Sequence, residues 1–135
     1  MTTTRSTGRP EACRNPWLTR VAIDWDLLFG VINLLAVAGW VALAALPRSE
    51  AVLKAVLGGA IGMLCAIYTA VFIGLFGGLL DPVRDAGAGG GFAYSVDGLK
   101  AMFAARGAIV VGWTHYLAFD LFVGWWIARD ADARG

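Results

Sequence analysis

The stretch GAIVVGWTHYLAFDLFVGWWI, residues 107–127, decides the fold. It contains one carboxyl, Asp120, and no Lys or Arg. About 20 helical residues at about 1.5 Å each cross the hydrocarbon core of a bilayer. Two more runs match it: Leu27 to Leu46, ending at Pro47-Arg48, and Ala55 to Leu80, ending at Asp81-Pro82. No proline interrupts any of them, and Pro47 and Pro82 lie where a helix should stop. Three segments cannot close a barrel, and an open sheet edge is not tolerated in lipid. The sequence therefore predicts an all-α, integral membrane helical bundle with three transmembrane helices. The first run is longer than the apolar core of a signal peptide, roughly 7–15 residues, and Asp24 and Asp26 precede it. It reads as an uncleaved helix.

Composition agrees. Of 135 residues, 59% are hydrophobic and 16% charged, with a net charge of +1. The charged share is well below the roughly 25% of a soluble domain. Without clustered Lys and Arg the chain has no footprint for nucleic acid; membrane lipids are its expected surroundings. Cys13 and Cys65 are too few for a disulfide framework or a four-ligand metal site. Arg5, Arg9, Arg14, Arg20, Arg84, Lys100 and Arg106 fall on one side of a three-span topology. Arg48, Lys54, Arg129 and Arg134 fall on the other. The excess on the first side predicts a multi-pass protein with a cytoplasmic N-terminus.

The chain divides into a polar tail (1–24), a transmembrane domain (25–130) and a C-terminal tail (131–135). In the first tail, Asn15-Pro16 signals a helix start, and Trp17, Leu18, Val21 and Trp25 then recur at helical spacing, as in an interfacial helix. The stretch from Arg84 to Gly91 is rich in Gly and Ala. Gly89-Gly90-Gly91 follows no apolar strand, so it is not a phosphate loop. Ser95 should cap a short interfacial helix from Val96 to Ala105, with Val96, Leu99, Met102 and Phe103 on one face and Asp97 and Lys100 opposite. Gly58, Gly62, Ala66, Ala70, Gly74 and Gly78 recur every four residues along the second run. Small residues at this spacing let helix backbones approach. The expectation is packing within the chain, with a partner helix, a homo-oligomer or a groove for a flat ligand as the other readings.

Polar groups inside the spans are the candidate site. A carboxylate at mid-bilayer costs about 2.5–3.5 kcal/mol on insertion scales, so Asp120 should serve a purpose. His115 is the only histidine, and Asn33 is the only amide in the first run. Tyr116 and Asp120 are four apart and share a helix face that Gly124 extends. His115 is five residues before Asp120, about 140° away around the helix. Tyr116 could bond to Asp120, and Asn33 could reach either group across the bundle. One His and one Asp make no metal site, and no cofactor is expected.

Residues 112–130, GWTHYLAFDLFVGWWIARD, closely resemble the signature of the abscisic acid-deficient 4-like (neoxanthin synthase-like) family, through Trp113, His115, Tyr116, Asp120, Gly124 and Trp126. Phe29, Asn33, Gly39, Trp40 and Pro47 resemble its first helix, and Gly91-Phe92 with Ser95 its entry to the third. The resemblance covers about residues 26–130. Plant members are associated with neoxanthin formation, which implies a carotenoid or isoprenoid ligand. Members usually continue into a fourth transmembrane helix, whereas this sequence stops at Gly135, so a four-helix pocket implies a partner helix. Trp125 departs from the Arg or smaller residue expected there. The implied reaction is isomerisation of an epoxy-carotenoid, which needs an acid and a base near one end of the ligand. His115 and Asp120 are the candidate catalytic pair, in either assignment. Asn33, Trp113, Tyr116, Phe119 and Gly124 are the candidate ligand-binding residues. A non-catalytic carotenoid- or lipid-binding module, with aromatic residues Phe119, Phe122, Trp125 and Trp126, is the alternative.

Overall fold

The computed structural model describes residues 21–47, 49–81 and 95–134. The tail before Val21, its Asn15-Pro16 start and the Gly-rich stretch 84–91 lie outside them. Helix α1 spans Trp25–Ala45. The Asp24 carboxylate accepts from the amides of Asp26 and Leu27 and starts it. Helix α2 spans Glu50–Phe76, with a π turn over Val56–Ile61. Helix α3 spans Val96–Phe103, and its N-cap Ser95 Oγ accepts from the Gly98 amide at 3.0 Å, as predicted. Helix α4 spans Arg106–Arg134. Apart from isolated bridges, Val21 with Leu80 among them, no strand occurs among the described residues.

Three helices, α1, α2 and α4, are long and apolar enough to cross a membrane. In each, less than a third of the most apolar stretch is buried inside the protein. Leu34, Ile73, Phe76 and Phe119 are all more than half exposed. Such a surface is untenable in water and natural in lipid.

The shared core is a narrow seam. Ile32 and Ala36 of α1, Leu64 and Val71 of α2, and Ala118 and Leu121 of α4 are buried together. Gly39 makes the closest approach possible: a methyl built there would sit 2.6 Å from Leu121 Cδ2 and 3.2 Å from Ala60 Cβ. Thr114, buried in the seam, donates to the Val110 carbonyl of its own helix at 2.6 Å and so carries no unpaired hydroxyl.

One end of the bundle is tied. The Val21 amide donates to the Leu79 carbonyl at 2.8 Å, and the Asp81 amide donates to the Val21 carbonyl at 3.3 Å. Trp25 Nε1 donates to the Asp81 carbonyl at 3.1 Å. Arg106 Nη1 lies 2.8 Å from Asp26 Oδ2. The starts of α1 and α4 and the end of α2 therefore share one end.

Four expectations are corrected. Val21 to Asp24 are extended, so no helix runs from Val21 into Trp25; the bridge to Leu80 competes for that backbone. Helix α2 begins at Glu50 rather than Ala55, because Ser49 Oγ caps it and Lys54 pairs with Glu50 at 2.9 Å. It ends at Phe76 rather than near Pro82. There Gly78, at φ +71°, lets its own amide reach the Leu75 carbonyl at 3.1 Å and the Leu79 amide reach the Gly74 carbonyl at 2.8 Å, a Schellman closure. Helix α4 runs on past Ile127 to Arg134, where Arg134 pairs with Asp130 one turn back.

The small-residue stripe is the fourth. Gly58, Gly62, Ala66 and Ala70 are exposed, and no atom of another helix lies within 4 Å of a methyl built on Gly58 or Gly62. These four face outward and pack against no other helix, whereas Gly74, further along the stripe, is buried against Leu80. The glycines at helix contacts are Gly39, Gly107, Gly112 and Gly124.

Candidate functional site

Helix α4 presents two flanks, one along α1 and one along α2. Its buried centre, Val110, Thr114, Ala118 and Leu121, separates them.

On the α1 flank, Trp113 Nε1 donates to Asn33 Oδ1 at 3.0 Å, and Asn33 Nδ2 donates to the Phe29 carbonyl at 2.7 Å. Both ends of the amide are thus engaged. Asn33 orients the Trp113 ring and does not reach His115 or Asp120. Phe29, Trp113 and Tyr116 form an aromatic row, with ring centroids 6.0 and 5.6 Å apart. Tyr116 stacks on Trp113 and makes no hydrogen bond to Asp120. Two turns beyond Trp113, about 10.5 Å along the axis, Asp120 shares this flank by helical register. Gly124 follows one turn on, and the edge of the Trp40 ring covers it so closely that a methyl there would lie 2.4 Å from the indole. Asp120 is half-buried, and its carboxyl has no hydrogen bond or ion pair among the described residues. A polar group in hydrocarbon without a partner is costly.

His115 stands on the α2 flank. Its ring meets Tyr68 at 5.4 Å between centroids and makes no hydrogen bond among the described residues. The register leaves His115 and Asp120 on opposite flanks, so they do not converge on one point. Phe119 lies between the flanks on the outward face, 62% exposed. Of the candidate set, the structure brings Asn33, Trp113 and Tyr116 together and aligns Asp120 and Gly124 with them. Among the described residues no group of three or more His, Cys, Asp or Glu could hold a metal ion.

Two features escape the sequence reading. The first is the part of Trp40 as the cover of Gly124. The second is the π turn and its tie to Trp125. Trp125 is buried, its Nε1 donates to the Leu53 carbonyl at 2.9 Å, and the Arg129 guanidinium lies 5.4 Å from its ring. This tryptophan thus bonds the backbone just before the π turn. The glycine pair Gly58-Gly59 inside the turn is the one sequence signal that could have marked it.

Comparison with known proteins gives no significant match to a curated protein or to a solved structure. The family model described as ABA DEFICIENT 4-like matches residues 27–135, the greater part of the chain and all three spans but for the first two residues of α1. The chain belongs to the ABA DEFICIENT 4-like family.

Proposed function

We propose that this protein holds a carotenoid or related isoprenoid from the bilayer along the α1 flank of α4, and that Asp120 exchanges protons with the oxygenated end of that ligand. The observation that carries this reading is the Asp120 carboxyl, unpaired among the described residues, in register with the row Phe29, Trp113 and Tyr116. Aromatic faces suit a flat, conjugated chain. A lone carboxyl beside them suits one oxygen function.

Family membership suggests the reaction: isomerisation of an epoxy-carotenoid. The epoxide oxygen takes a proton as its C–O bond breaks. A proton leaves carbon, and the C–H electron pair becomes the new double bond of an allene. No oxidant is consumed. Asp120 gives a proton from one oxygen and receives the second proton at the other, which restores the acid. The Asn33 bond fixes the Trp113 ring and thereby the line of the polyene. His115, on the opposite flank, stands away from that reacting end. The excess of Lys and Arg in the sequence segments on the N-terminal side of a three-span topology supports a cytoplasmic N-terminus.

The test is an assay of membranes carrying the protein with a 5,6-epoxy-carotenoid, read by chromatography and mass. A product of unchanged mass and altered spectrum is expected from the wild type and not from Asp120→Asn. Full turnover by Asp120→Asn discards the role of the carboxyl. Retained pigment with no conversion in the wild type favours the binding module, which the same aromatic row supports.

A further inference from the structure

Given that the chain takes isoprenoids from the bilayer, we infer that the α2 flank of α4 is a second, separate site for an oxygenated isoprenoid, anchored by His115. Tyr68, Phe72 and Phe76 follow one another along α2 with ring centroids 5.7 and 4.4 Å apart. Tyr68 lies against His115 at 5.4 Å. The row extends about 12 Å along the helix and ends at an imidazole and a phenol, neither of which makes a hydrogen bond among the described residues.

The depth of these groups selects the occupant. His115 is nine residues into α4, about 13.5 Å along the axis from Arg106. At that depth a phospholipid offers only acyl chain, because its esters and headgroup lie at the interface. An imidazole there finds no hydrogen-bond partner in lipid, and an unpaired polar group in hydrocarbon is unfavourable. A ligand with an unsaturated chain and a hydroxyl, keto or epoxide oxygen satisfies both the row and the imidazole.

The two sites are distinct because the register separates them. His115 and Asp120 differ by about 140° around α4; the buried seam of Thr114, Ala118 and Leu121 divides them on the inner face, and the exposed side chains of Tyr116 and Phe119 stand between them on the outer face. A ligand extended along either row, parallel to α4, meets the polar group of that row and not the other.

The probe is retinol, added to the full chain in phosphatidylcholine nanodiscs, with empty discs as the blank. Retained retinol per protein is read by absorbance. Two per chain are expected in the wild type, one in His115→Leu, one in Trp113→Ala, and none in the double variant. Phe72→Leu, which keeps an apolar side chain on a lipid-facing surface, should weaken retention on the His115 side alone. A wild type that retains one retinol, lost in either single variant, overturns the proposal, as does His115→Leu retaining the full wild-type amount. If Trp113→Ala leaves the count unchanged while His115→Leu lowers it, the α1-flank reading fails and the second site stands.

Discussion

Gly39 offers a measurement of how closely α1 meets the other two spans. Replacing it by alanine adds one methyl where Leu121 Cδ2 would lie at 2.6 Å, Leu121 Cδ1 at 3.1 Å and Ala60 Cβ at 3.2 Å. Leu121 is fully buried, so its side chain has no free space to turn into. Overpacking of this kind costs about 1–3 kcal/mol. Alanine also gains up to about 1 kcal/mol over glycine in a helix interior, which would blur a single variant. Gly30 lies in the same helix with nothing within 4 Å of a built methyl. The difference between Gly39→Ala and Gly30→Ala cancels the propensity gain and isolates the steric cost. Unfolding free energies in bicelles, by steric trapping, should place Gly39→Ala about 1–3 kcal/mol below Gly30→Ala. Two variants within about 0.5 kcal/mol of each other would refute the close approach and the seam built on it.

Three more outcomes follow from the same packing. Trp125→Phe removes the indole bond to the Leu53 carbonyl; a stability loss of about 1–3 kcal/mol is expected in the same assay. Gly78→Ala should lose about 1–2 kcal/mol, because an L side chain is strained at φ +71°, and hydrogen exchange should show it as faster exchange of the Leu79 amide. A double-mutant cycle on Asp26 and Arg106, both largely exposed, should return a coupling under about 1 kcal/mol that falls further with salt.

The three spans were legible because charge-free length is a direct statement about a bilayer. Ser95 and the helix after it were legible because a capping hydroxyl and an amphipathic period are local signals. The limits of α2 were obscured by Glu50 and Lys54, charges that look foreign to a span but satisfy each other one turn apart. The direction of the glycine stripe was not legible at all. Hydropathy distinguishes inside from outside only when outside is water; in lipid both faces of a helix are apolar. For the same reason Asn33 could be recognised as a cross-helix bond maker, while its partner, Trp113, could not be chosen over Asp120. The angle between His115 and Asp120 followed from helix geometry alone, and the structure keeps it.

The wider turn at Val56–Ile61 has a consequence for how a chain of this kind can change over time. A π turn accommodates one residue beyond the regular repeat, which offsets the two halves of α2 by about 100°. Excising a single residue there would bring the helix back into phase and swing its first turns away from the indole that grips them. Length at this locus is therefore a rotary setting. One codon gained or lost would re-aim half of a span while every side chain kept its chemistry.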